Sequence, residues 1–315
     1  MDTVIDHNLV HFDIVNPKAK KDCLVLHGWG QNGSIWADTI NHLPADYRYF
    51  LLDLPGFGRS SLLPAGSGIP EYTNLILAFI KNNDIKHPIV LGHSFGGQIA
   101  AHIAISHPSV ISSLILISPA INRRKSLKQK LKIFIYHQFS FLKTILPKPI
   151  LCFLLSRITS TDYYHSSPEH QDILKKIVNY DLTDRLNKIK IPSFLIWGEN
   201  DTEIPYSGRI IADLIPDCRL YILQSDHNPH LSLQSQLIPI LKHTFSLISW
   251  NTYLFLSISK FFNLNIISFK NYFAGTFLIL LFFLCLKLPL LKSLLKLSSW
   301  LFYLLFNILP YPGYF

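Results

Sequence analysis

A serine flanked by glycines, Gly92-His93-Ser94-Phe95-Gly96, lies where the apolar run Ile89-Val90-Leu91 gives way to a helix-like stretch from Phe95 to Ser106. A serine at a sharp strand-to-helix turn is lifted above the sheet edge, and side chains at the flanking positions would collide with neighbouring elements. Gly92 and Gly96 remove those collisions, and Gly97 lets the helix pack closely. A plain Gly-Ser turn is the bland alternative; the strand before and the helix after favour a nucleophile. A nucleophilic serine needs a base, and the base an orienting acid, in the chain order Ser, Asp/Glu, His for this kind of turn. Asp201 follows the apolar run "SFLIW" in "WGENDTEIP", and His227 follows "RLYIL" in "QSDHNPHL". Both stand at carboxyl strand ends, from which they can converge on Ser94.

Each position has competitors. His230 follows His227 by three residues and is expected to start the next helix after Pro229, as a packing or loop contact. A metal reading of His227-x-x-His230 lacks further ligands at suitable spacing. Glu199 and Glu203 flank Asp201 and are expected to point elsewhere if the turn is tight. Asp53 precedes Ser94 in "DLPGFGRS", where its expected role is to hold the Gly-rich loop; that loop lacks the GKS/T of a phosphate cradle. A tetrahedral intermediate also needs amides aimed at its oxyanion. "LHGWG" after a buried strand offers the N–H of Trp29, and the start of the helix offers the N–H of Phe95.

Stepping outward, the chain alternates short apolar runs with helix-like stretches. "LVHFDIV" (9–15), "CLVLHG" (23–28), "YRYFLLDLPGFG" (47–58), "SLILIS" (113–118), "SFLIWGEND" (193–201) and "RLYILQ" (219–224) read as strands, with helices near Glu71–Asn82 and Ile204–Leu214. Near-continuous apolar strands between helices predict a mostly parallel sheet covered on both faces, an α/β fold. Ligands in such sheets sit beyond the carboxyl ends of the strands.

The motifs HGWG, DLPGFGRS, GHSFGG, WGEND and DHNPH, in that order over about residues 5–245, resemble the α/β-hydrolase superfamily. The nearest look is its branch of esterases, carbon–carbon bond hydrolases of ring-cleavage products, and pimeloyl-carrier methyl ester esterases. The resemblance implies an α/β-hydrolase fold with an eight-stranded, mostly parallel sheet, a helical cap after the sixth strand, and no metal or cofactor. Carried over by motif, it implies Ser94 as nucleophile, Asp201 as acid, His227 as base, and Trp29 and Phe95 as oxyanion donors. One departure is Asp226, which stands before the histidine where the family usually has glycine.

The 315 residues carry a net charge of +9, unevenly placed. Residues 1–120 hold 7 Lys/Arg and 9 Asp/Glu, and residues 191–243 hold 3 and 6, whereas residues 121–190 hold 14 and 5 and residues 244–315 hold 5 and 0. We expect a hydrolase core from 1–120 and 191–243, a helical cap at 121–190, and an apolar, membrane-associated helical tail at 244–315. The cap segment gathers Arg123, Arg124, Lys125, Lys128, Lys130 and Lys132 without an acid; it reads as a solvated lid or as a basic surface for anionic lipid. In the tail, residues 271–286 and 297–315 are free of charged side chains. They suit helices lying in a membrane interface or one span near the end. The four cysteines show no paired spacing, and the acidic N-terminus does not read as a signal peptide. A reducing compartment follows, with the hydrolase portion cytoplasmic at a membrane. The expected partners are a small acyl or ester substrate and lipid, not nucleic acid. The rival expectation is a membrane-tethered binding or scaffold module that keeps the fold without turnover.

Overall fold

The computed structural model describes residues 1–121, 167–204 and 207–261. Its strands are β1 (Asp2–Ile5), β2 (Asn8–Val15), β3 (Lys21–Leu26), β4 (Tyr47–Leu52), β5 (Ile89–His93), β6 (Ser113–Ile117), β7 (Ser193–Gly198) and β8 (Cys218–Leu223). They form one eight-stranded sheet in the order β1-β2-β4-β3-β5-β6-β7-β8. β1 and β2 pair antiparallel, β2 pairs antiparallel with β4, and every later neighbour is parallel. The sheet's parallel part and its strand positions follow the sequence pattern. β1 is additional, a four-residue strand too short and too exposed to show periodicity.

The two-residue period of a strand divides each central run between two cores. Leu24, Leu26, Val90, Leu114, Leu116, Leu195 and Trp197 face one cluster. Cys23, Val25, Ile89, Leu91, Ile115, Ile117, Phe194 and Ile196 face the other. The helices are α1 (Ala37–Asn41), α2 (Ile69–Asn82), α3 (Ser94–Ser106), α4 (Pro168–Asn179), α5 (Gly208–Leu214), α6 (Pro229–Ser232) and α7 (Gln234–Phe261), with 3-10 turns at Gly33–Trp36 and Thr183–Lys188. The Glu71 carboxylate accepts the Gly68 N–H at 2.7 Å, and Pro70 sits in the first turn; together they start α2. α5 begins at Gly208 rather than at Ile204, because Ile204 is spent on the turn that follows β7.

Two expected boundaries move. Part of the segment assigned to the cap belongs to the core: α4 buries Ile173 and Ile177 beneath the first cluster, and the Gln98 side-chain amide donates to the Tyr180 carbonyl at 2.6 Å. The basic residues 123–132 lie outside the described residues. At the other end, the compact unit runs from Met1 to Ser249, and a second comprises Trp250–Phe315. Phe245 and Ile248, counted with the tail at the sequence level, are buried with Leu237 and Leu241 in the second cluster. The periodicity of α7 continues through residue 244, so the composition shift there does not mark an end of the core. Among the described residues no helix is long and apolar enough to cross a membrane. The expected tail segments 271–286 and 297–315 lie outside the described residues.

Phe245 is 1% exposed, with edge-on contacts to Tyr47 and Tyr49 at 4.8 and 5.9 Å. Phe245→Ala is therefore expected to lower unfolding free energy by about 3–5 kcal/mol in urea titrations. Leu231→Ala, at a position 54% exposed, is expected to change it by about 0.5 kcal/mol or less.

Candidate active site

Ser94 sits at the junction of β5 and α3 with φ +50°, a left-handed backbone that non-glycine residues rarely adopt. Close packing maintains it. The Gly96 N–H donates to the His27 carbonyl at 3.1 Å, and a Cβ on Gly96 would lie 2.3 Å from the Leu26 carbonyl oxygen. A Cβ on Gly92 would meet the Gly96 carbonyl at 2.6 Å, so the second flanking glycine is equally required. The helix start therefore rests against the end of β3, and Ser94 Oγ projects at the carboxyl edge of the sheet.

The structure brings the three sequence-predicted side chains together. Ser94 Oγ–H donates to His227 Nε2 at 2.9 Å, and His227 Nδ1–H donates to Asp201 Oδ2 at 2.7 Å. Asp201 Oδ1 accepts the N–H groups of Glu203 and Ile204, both at 2.9 Å, so its two oxygens serve opposite purposes. The Asp201 carboxylate is fully buried and the His227 ring is 6% exposed. At Gly198 a Cβ would come within 2.2 Å of the Asp226 carbonyl; this close approach holds the ends of β7 and β8, and hence acid and base, side by side.

The turn carrying Trp29 lies beside this chain. The Trp29 and Phe95 rings meet edge-on at 5.5 Å, and Phe57 packs on Trp29 at 4.8 Å. As a first-turn amide of α3, the Phe95 N–H has no acceptor within its helix. Gly28 and Gly30 bracket Trp29, and a Cβ on Gly28 would lie 2.8 Å from His93 Nδ1. Asp53 is structural: Oδ1 accepts the Gly33 N–H and Oδ2 the Arg59 N–H, each at 2.8 Å, staking the Gly-rich loop to the first 3-10 turn.

Several supporting residues were not singled out from the sequence. The Gly28 N–H donates to Gln31 Oε1 at 3.0 Å, and Gln31 Nε2–H donates to Asn228 Oδ1 at 2.9 Å, joining the Trp29 turn to the His227 loop. His93 Nε2–H donates to the His227 carbonyl at 2.9 Å. The signal was adjacency alone: Gln31 follows HGWG, Asn228 follows His227 and His93 precedes Ser94. His230 is buried, its ring is stacked on Trp36 at 4.3 Å, and among the described residues its ring nitrogens have no hydrogen-bond partner. Asp226 turns outward, Oδ1 accepting from the Asn228 N–H and the Ser232 hydroxyl; where the family usually has glycine, this residue caps α6. Glu199 pairs with the Gln224 side chain. Glu203 does not point elsewhere: its Oε2 lies 3.8 Å from His227 Nε2.

Known proteins resemble this chain in sequence and in fold. A family described as "alpha/beta hydrolase fold" matches residues 24–149. A pimeloyl-[acyl-carrier protein] methyl ester esterase of Vibrio atlanticus is 26% identical over 236 residues, covering 67% of this chain and 89% of that protein. A human monoacylglycerol lipase is 26% identical over 240 residues, covering 66% and 70%. The solved structure of an esterase from Exiguobacterium antarcticum superposes with a TM-score of 0.60 at 22% identity, covering 78% of this chain and 97% of that one; at that identity it bears on the fold. By these matches the chain is similar to α/β-hydrolases.

Burial makes acid a destabilising agent for this region. His27 and His230 are both fully buried, and loss of hydration pushes each imidazole pKa down to about 4, with neighbouring His227 adding to the effect on His230. Below the ordinary value of 6.5 the unfolded chain takes up protons that these folded rings refuse until pH nears 4. Stability is thus full above that window and falls as pH drops through it, by up to about 1.4 kcal/mol per pH unit for each ring. Urea midpoints should decrease steadily over this range, and His230→Phe should flatten part of the slope.

Proposed function

We propose that this protein is a serine hydrolase of carboxylic esters, working by two-step acyl transfer. The observation that carries the reading is the unbroken hydrogen-bond chain from Ser94 Oγ through His227 to buried Asp201. In the first step His227 Nε2 takes the Ser94 proton as Oγ attacks the ester carbonyl. The anionic Asp201 carboxylate holds the tautomer and stabilises the imidazolium that forms. The Phe95 and Trp29 amides receive the oxyanion, donors typically worth about 3 kcal/mol each. The proton on Nε2 then passes to the departing alkoxide and leaves an acyl group on Ser94. In the second step water gives its proton to Nε2 and its oxygen to the acyl carbon, releasing the acid and restoring Ser94. The relatives above carry names that specify a methyl ester on a carrier-bound acyl chain and a monoacylglycerol; both are carboxylic esters, and the reading for this chain stops at that shared bond.

Steady-state hydrolysis of 4-nitrophenyl acyl esters tests the roles. Ser94→Ala and His227→Ala should each lower kcat by about three to six orders of magnitude. His230→Ala should lower kcat far less. Loss of turnover in His230→Ala with retention in His227→Ala would overturn the assignment of the base.

The site is proposed to work at a membrane, with the hydrolase portion cytoplasmic. Support comes from composition: no acidic residue occurs in 244–315, and 297–315 carry no charge. Because Phe245 and Ile248 belong to the core, the informative truncation removes 262–315. That deletion is expected to move the protein from the membrane pellet to the supernatant on fractionation, and unchanged partitioning would contradict the tether.

A further inference from the structure

Glu203 stands apart from the other carboxylates near the reacting atoms. Asp201 is wholly buried and meets Nδ1, on the far side of the ring from Ser94. Asp226 is committed to the α6 cap, and Glu199 to Gln224. His93 packs on His227 at 4.9 Å and His230 packs on His93 at 4.6 Å; burial, with neighbouring imidazoles adding to it, holds both below the usual histidine range. Among the described residues Glu203 alone presents a carboxylate on the Nε2 side, 3.8 Å from the nitrogen that also accepts from Ser94 Oγ–H. Its side chain is 64% exposed, so it stands at the mouth of the site. The backbone beneath it is fixed, since its own N–H is bonded to Asp201 Oδ1 at 2.9 Å. Among the described residues its carboxylate makes no other ion pair.

Any group bound for attack by Ser94 must lie on this side of His227, within a few ångströms of the Glu203 carboxylate. A like charge there is repelled, and an uncharged group is not. We infer that Glu203 sets the charge selectivity of the site: it admits esters uncharged around the scissile bond and turns away those carrying a carboxylate there. The same repulsion acts on the product, since deacylation leaves a carboxylate next to Ser94 and Glu203 favours its departure. This inference rests on the serine-hydrolase reading for its substrates, while the charge effect itself rests on the position of Glu203.

The test uses the full chain, acetate release as the readout, and two substrates that share one acetyl ester, 3-acetoxybenzoate and its uncharged methyl ester. Wild type should favour the methyl ester in kcat/KM. Glu203→Gln should shrink that preference about three- to fivefold, and Glu203→Lys by about tenfold or more, the scale expected for a half-exposed charge. A preference unchanged within roughly 1.5-fold in both variants overturns the inference, because it falls at or below the low end of the typical range for exposed charge pairs. Equilibrium dialysis of the same two compounds against Ser94→Ala protein separates this result from the reading beneath it. A charge preference in binding that disappears on adding Glu203→Gln supports the inference even if wild type turns over neither ester, an outcome that removes the hydrolase reading alone. Absence of any Glu203-dependent difference in binding, with wild type inactive on both, overturns both.

Discussion

The contact on which the site depends is that of Gly96 with the carbonyls of Leu26 and His27. No side chain fits in that gap, and the Gly96 N–H closes it with a hydrogen bond. It fixes the start of α3 against the end of β3, and two consequences follow. Ser94 is forced into its left-handed backbone, which projects Oγ toward the base. Phe95, at the start of α3, and Trp29, in the turn after β3, become neighbours, their rings meeting edge-on. The local strain is of order 1–3 kcal/mol and persists only because the surrounding strands are fully buried. The all-buried runs of β5 and β6 are therefore functional as well as structural.

A second theme is how one imidazole is distinguished among several. His27, His93, His227 and His230 all lie close to the carboxyl ends of the strands and all are buried. His27 donates from Nδ1 to the Gly28 carbonyl and accepts the Leu54 N–H at Nε2, so both ring nitrogens are committed to backbone. His93 donates to the His227 carbonyl. Among the described residues the His230 ring nitrogens have no hydrogen-bond partner, and the ring is held by stacking on Trp36. Only His227 has a carboxylate at Nδ1 and a hydroxyl at Nε2. Environment and not residue type distinguishes His227 from the other three.

Much of this arrangement was legible in the sequence because strand ends, glycines and catalytic residue types coincide. Ser94, Asp201 and His227 each follow an apolar run that can only be a buried strand, and a parallel sheet aligns such ends. What was not legible has physical reasons. β1 is short and largely exposed, so no period marks it. Residue 244 looked like a boundary because the chain beyond it is rich in apolar residues and holds no acid, yet burial in α7 follows helical periodicity and reaches Ile248. α4 was hidden inside a segment that is basic as a whole, although its own two acids and two lysines balance, while Ile173 and Ile177, one turn apart, carry its packing. The side-chain direction of Glu203 depends on a turn organised by Asp201 Oδ1, information that no residue spacing holds. The Gln31–Asn228 bridge joins residues far apart in sequence, and only the folded sheet makes them neighbours.

The most direct measurement is peptide mapping by mass spectrometry after brief exposure of the folded full chain to a fluorophosphonate. The account expects a single phosphonyl adduct on the peptide containing Ser94, formed quickly in wild type and strongly slowed by His227→Ala. An adduct formed elsewhere, or a folded wild-type protein left unmodified, would contradict it.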